Sequence, residues 1–122
     1  MEKECAELSC PLRYALSVIG GKWKLPIICL LAEGTPLRYN AIKRGAHGIT
    51  NMMLSQSLKE LEGCGILSRK QYNEIPPRVE YRITTEGKKL LPALVQLAEW
   101  GKSHSGQPAN GKDTCEVCRA SL

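Results

Sequence analysis

Six cysteines and one helix-spaced run of amides and hydroxyls are the residues with chemistry to offer in this chain of 122 residues. Cys10 precedes Pro11, and a proline suits the first helical position, so Cys10 falls at or beside a helix N-cap. There the helix dipole and free N–H groups favour a thiolate, the form that oxidants and electrophiles attack. Arg13, one turn on, adds positive charge. The competing reading is a cap cysteine of ordinary reactivity. Cys5-x4-Cys10 and Cys115-x2-Cys118 place two pairs of thiols near the two ends of the chain. Brought together, Cys5, Cys10, Cys115 and Cys118 match the donor set of a tetrahedral zinc ion. The second pair also suits a dithiol that resolves an oxidised Cys10. A bystander tail is its plainer reading, so no metal and no cofactor are assigned. Cys29 falls in an apolar segment and reads as packing, and Cys64, between Gly63 and Gly65, reads as structural.

Nothing else points to catalysis. No Ser/His/Asp set or carboxylate pair stands at recognisable spacing. His47 reads as a turn residue and His104 as a cation at a helix C-terminus. "IGGKW", Ile19 to Trp23, lacks the pattern around a phosphate loop and reads as a helix boundary. The dithiol at Cys115 and Cys118 has no βαβ context, which argues against a thioredoxin-like enzyme.

The remaining candidates lie in "GITNMMLSQSLKELEGCGIL", Gly48 to Leu67. Leu54, Leu58 and Leu61 form one helical stripe, and Met52, Ser55, Gln56 and Lys59 fall opposite. Thr50 is a good N-cap, and Gly63-Cys64-Gly65 ends the helix, predicted from about Asn51 to Glu62 or Gly63. Upstream, "PLRYALSVI" and "KWKLPIICLLAEG" read as helices stopped by glycines, with Pro26 in a first turn. A short third helix is expected from about Arg38 to Arg44. Downstream the period changes to two: Ile66–Tyr72 and Val79–Thr84 read as strands joined by "NEIPPR", a projecting tip that Pro76 and Pro77 keep out of any ladder. A last helix starts near Thr85 or Glu86, and Pro92 kinks it or delays its start. Its stripe, Leu90, Leu91, Leu94, Val95, Leu97, Ala98 and Trp100, is wider than a small core needs.

Helices, a helix-turn-helix and a hairpin make a mainly α (α+β) winged helix. Residues 10–105 are expected to form this domain with its N- and C-terminal dimerisation helices, between a flexible segment 1–9 and a flexible Cys-containing tail 106–122. The polar face then has a use: laid in a major groove, its amides and hydroxyls read base edges. Gln56 suits adenine, Ser55 either role and Met52 a thymine methyl. Thr50 and Asn51 sit where a helix N-terminus favours phosphate, and Lys59 reaches phosphate or guanine. On the hairpin, Arg69, Lys70 and Arg78 are candidates for gripping the flanking backbone or minor groove. Without the hairpin, a bland amphipathic helix would be the commoner reading.

Lys and Arg total 17 against 12 Asp and Glu, so the net charge of +5 favours an anionic partner without naming one. The polar start "MEKECAE" shows no signal pattern, and the longest apolar run, "LPIICLLA", is too short to span a bilayer. The expectation is a cytoplasmic protein with no membrane partner and with cysteines largely reduced at rest.

From Cys10 to Trp100 the chain resembles the HxlR family of winged-helix transcriptional regulators, within the MarR-like group. The resemblance rests on Cys10-Pro11, "IGGKW", the leucine-spaced helix and "PPRVEYRIT" together. It implies a homodimeric repressor or activator bound to a double-stranded DNA operator and paired through its terminal helices. Several members respond to oxidants or electrophiles through the cysteine matching Cys10, others to metabolites or to no known effector. A winged helix used for protein contact instead of DNA is the remaining alternative. Members often carry a basic residue at the position of Met52 and frequently at that of Ser57. Both are uncharged here, which implies a different operator.

Overall fold

The computed structural model describes residues 10–104. The expectations for Cys5, Cys115, Cys118 and the two terminal segments lie outside those residues. Among them the elements are α1 (Pro11–Ile19), α2 (Lys24–Leu31), β1 (Leu37–Arg38), α3 (Tyr39–Gly45), α4 (Asn51–Gly63), β2 (Leu67–Tyr72), β3 (Arg78–Ile83), α5 (Thr85–Lys88) and α6 (Leu91–His104). No single helix among them is long and apolar enough to cross a membrane. The fold is the expected α+β winged helix.

Each boundary has a local cause. Pro11 opens α1 behind Cys10, which is extended and makes no side-chain cap bond. Pro26 lies in the first turn of α2, where its missing N–H costs nothing. Thr50 caps α4: its Oγ1 accepts from the Met53 N–H at 3.1 Å. At the other end of α4, Ile66 N–H donates to Leu61 O and Gly65 N–H to Glu62 O. This paired closure needs a left-handed residue at Gly65, whose φ is +82°. Pro92 delays the last helix instead of kinking it: α5 ends at Lys88 and α6 restarts with Pro92 in its first turn.

Leu54, Leu58 and Leu61 of α4 meet Ile27, Ile28 and Leu31 of α2 and Ile42 of α3 in one apolar core. Ile66, Leu67, Ile83 and Leu94 close it from the sheet and α6. The sheet has the order β1-β3-β2 and is antiparallel throughout. The two-residue strand β1 was not expected from sequence. It exists because Leu37 and Arg38 lie beside Tyr81 and Glu80 and fill the free edge of β3.

Candidate nucleic-acid interface

The exposed face of α4 is built by what its other face must bury. Leu54, Ser57, Leu58 and Leu61 are turned inward, which leaves Asn51, Met52, Ser55, Gln56 and Lys59 outside. Met52 is 80% exposed, an unusual placement for a large apolar side chain. Thr50, the cap, is exposed beside them. Ser57 is buried, so its lack of charge has no bearing on this face.

Three side chains outside the expected set hold this face. The Tyr39 hydroxyl of α3 donates toward the Asn51 carbonyl oxygen at 3.1 Å and lies 3.2 Å from Asn51 Oδ1 and 3.3 Å from Ser55 Oγ. Gln56 Nε2 donates to Glu60 Oε2 at 2.6 Å. The other oxygen of that carboxylate, Oε1, takes the Lys24 ammonium of α2 at 2.8 Å. The Lys24 bond, and then that of Gln56, hold the Glu60 carboxyl below the ordinary glutamate range. The i, i+4 spacing of Gln56 and Glu60 was a usable sequence signal. The contacts from Lys24 and Tyr39 had none.

The hairpin divides the basic residues that the sequence grouped together. Lys70 pairs with Glu80, Tyr72 with Arg78 and Ser68 with Arg82 across the ladder, so these six share the outer face. Arg38, opposite Glu80 on the other side, joins them. Arg69 pairs with Tyr81 on the inner face, where its Nη2 lies 3.5 Å from Gln71 Oε1. Lys70 and Arg78 therefore lie on one side of the wing and Arg69 on the other, because successive strand residues alternate. Arg38 and Arg82 are outer-face cations that the sequence reading missed. Tyr72 sits between two cations, with the Arg78 guanidinium 4.0 Å and the Lys70 ammonium 4.9 Å from its ring centre. Arg78 is further tied to Glu74 at 3.1 Å, with Glu80 at 3.8 Å. Beyond it, the tip carries a fully exposed Ile75.

Cys10 is exposed and carries a free thiol, and Cys29 is half-buried. Cys64 is disulfide-bonded, a departure from the expectation of reduced cysteines. Such a bond depends on which residues the fold brings together, which sequence spacing does not give. No group of three or more His, Cys, Asp or Glu among the described residues is placed to hold a metal ion. An open cavity of about 320 Å³ lies beside α1, with Tyr14, Val18, Ile66, Glu86 and Leu90 in its lining.

Two helices in helix-turn-helix order, a capped second helix with a polar outer face and an adjoining basic hairpin define a transcriptional regulator of the winged helix-turn-helix type. The sequence pattern of the HxlR-like helix-turn-helix family matches residues 18–108, and the chain belongs to that family. An uncharacterized HTH-type transcriptional regulator of Halalkalibacterium halodurans is 52% identical over 91 residues, 75% of this chain and 80% of the relative. Among solved structures, the redox regulator HypR in its oxidized form is 42% identical with a TM-score of 0.71, over 77% of this chain and 96% of HypR. The reduced form of the transcriptional regulator YodB from Bacillus subtilis is 31% identical with a TM-score of 0.72, over 81% and 97%. The family and these relatives are transcriptional regulators, not enzymes.

Proposed function

We propose that the chain acts as a homodimer on a pseudo-palindromic DNA operator, reading bases with α4 and holding the flanking backbone with its wing. The observation that carries this reading is the division of α4 into a leucine face in the core and an exposed face of amide, hydroxyl, thioether and ammonium groups. Met52, Ser55 and Gln56 are the base readers. Thr50, Asn51 and the first N–H groups of α4 meet phosphate, with Lys59 further along the same face. Lys70 and Arg78 contact backbone from the outer face of the wing, and Arg69 from the inner face.

A dimer is supported by apolar side chains that no element among the described residues covers. Leu12 and Leu16 of α1 are 67% and 51% exposed, and Leu97 and Trp100 of α6 are 58% and 64% exposed. Pairing through these helices buries the apolar stripe and places two copies of α4 about 34 Å apart, one turn of duplex. Loss of counterions to Lys and Arg then makes binding strongly salt-dependent.

Thiol control through Cys10 is supported by its exposure, its free thiol and its place at the start of α1, the helix that carries Leu12 and Leu16. Oxidation or alkylation there acts on the dimer contact and so on the spacing of the two reading helices. HypR, a redox regulator, is a relative that favours this control. The cavity beside α1 favours a second reading, a small-molecule effector bound against the same helix.

The test is an anisotropy titration of the full chain on the DNA upstream of its own gene, with reduced protein and after mild diamide treatment, alongside Cys10→Ser. The expected result is binding that treatment alters in the wild type and leaves alone in Cys10→Ser. Tight binding that treatment never alters removes the thiol reading and leaves the regulator. No binding at low salt removes the DNA reading and favours a winged helix used for protein contact.

A further inference from the structure

Gln56 is not a free amide. A glutamine side chain on its own can turn either end toward a base, presenting its carbonyl oxygen or its NH2 group. Here Nε2 is held 2.6 Å from Glu60 Oε2. An ionised carboxylate only accepts, so it can hold the NH2 end and never the oxygen. The carboxylate is itself fixed, because Lys24 Nζ lies 2.8 Å from its second oxygen and reaches it from a different helix. The Lys24 side chain is 16% exposed and that of Glu60 is 37% exposed, so the pair lies in the seam between α2 and α4. Both carboxylate oxygens are engaged inside the protein, which makes Glu60 a positioning residue and not itself a base reader.

We infer that the Lys24–Glu60 pair sets the orientation of the Gln56 amide and thereby selects adenine at the base that Gln56 meets. The inference rests on the DNA-binding reading above. With one N–H directed at Glu60, the amide has left its carbonyl oxygen and its second N–H. That donor–acceptor couple complements adenine, whose N6 group donates and whose N7 accepts. A guanine offers two acceptors at the same edge, O6 and N7, and meets the fixed carbonyl oxygen with repulsion. A reversed amide would lose the Glu60 bond and set its oxygen against the carboxylate. The pair thus discriminates as much by blocking the wrong orientation as by supplying the right one.

The experiment measures base preference, with the full-length chain and variants Gln56→Ala, Glu60→Gln, Lys24→Met and Glu60→Gln/Gln56→Ala. Each competes a selected operator against duplexes changed at single positions. Gln56→Ala identifies the position it reads, where the wild type prefers adenine by roughly tenfold. Glu60→Gln, whose own amide can accept or donate, loses most of that preference at that position alone. It also binds every duplex more tightly, since a negative charge near the phosphates is gone and Lys24 is released. Lys24→Met gives a partial loss at the same position, and the double variant discriminates there no worse than Gln56→Ala. A structural role for Glu60 would instead weaken all duplexes alike. If Glu60→Gln keeps the adenine preference that Gln56→Ala loses, the positioning role is overturned while the DNA reading stands. If Gln56→Ala loses no preference, the inference falls with Gln56 as a reader. If the wild type binds no duplex, the reading beneath both has failed.

Discussion

The Tyr39 hydroxyl lies 3.1 Å from the carbonyl oxygen of Asn51, tying the first helix of the helix-turn-helix to the first turn of the second. The Tyr39 hydroxyl oxygen also lies 3.3 Å from Ser55 Oγ. The angle between α3 and α4 is therefore held by polar bonds as well as by the leucine core. Tyr39→Phe removes them with little change of shape. We expect it to lower stability by about 1 kcal/mol, the net worth of a typical hydrogen bond. Operator binding should weaken in the same variant, because Asn51 and Ser55 lose their tether. Urea unfolding and anisotropy on one preparation measure the two effects.

The Glu60 carboxyl is held below the ordinary glutamate range by the Lys24 bond, then by the Gln56 bond, with burial opposing both. A carboxyl lowered in the folded state stabilises the fold above its unfolded pKa and loses that contribution as pH falls through its folded pKa. Wild type should therefore exceed Glu60→Gln in stability at neutral pH. The difference should shrink in acid, below the usual carboxylate range. Thermal unfolding of both proteins across that range checks the sign.

Leu97 and Trp100 are one turn apart on the exposed side of α6, while Leu94 of the same helix is 5% exposed. The wide stripe thus splits into a core row and an outer row. Leu97→Lys should leave the monomer folded and shift sedimentation toward a single chain. Operator affinity should fall with it, since one half-site alone holds one wing and one helix. A dimer unchanged by Leu97→Lys and by Trp100→Ala would place the interface elsewhere.

Gly87 and Gly63 should respond oppositely to alanine. A Cβ at Gly87 would stand 2.5 Å from the Ile66 carbonyl oxygen and 2.8 Å from Ile83, so backbone must move. Gly87→Ala should cost about 1–3 kcal/mol, as overpacking does. Gly63, in the last turn of α4, has nothing within 4 Å of that position. Gly63→Ala should be neutral or stabilise by up to about 1 kcal/mol through helix propensity. Denaturant melts of the two variants compare them directly.

Much of this molecule is legible in the sequence because its signals are local. The leucine spacing of α4, the Thr50 cap, the Pro11 start and the period-two strands all act within a few residues, and the structure has those elements within a residue or two of expectation. What the sequence withheld depends on contacts across the fold. β1 exists only through pairing with β3, 43 or so residues downstream. Lys24 meets Glu60 because α2 lies against α4, and neither residue advertises the other. The split of Arg69 from Lys70 is a different case. Strand alternation already requires it, and grouping them by charge hid it. Pro92 allowed two outcomes, and the packing of Leu90, Leu91 and Leu94 against the core accompanies the later start.

If two copies of α4 read successive major grooves of one duplex, affinity depends on the spacing of the half-sites. An anisotropy titration with a selected operator tests it most directly, set beside the same operator carrying a half-turn insertion of about 5 bp between its half-sites and a scrambled duplex. Tight binding of the operator by two chains is expected, with affinity lost by at least roughly tenfold on insertion and on scrambling. Equal affinity for all three duplexes would contradict it, leaving at most a basic surface that holds DNA without reading it.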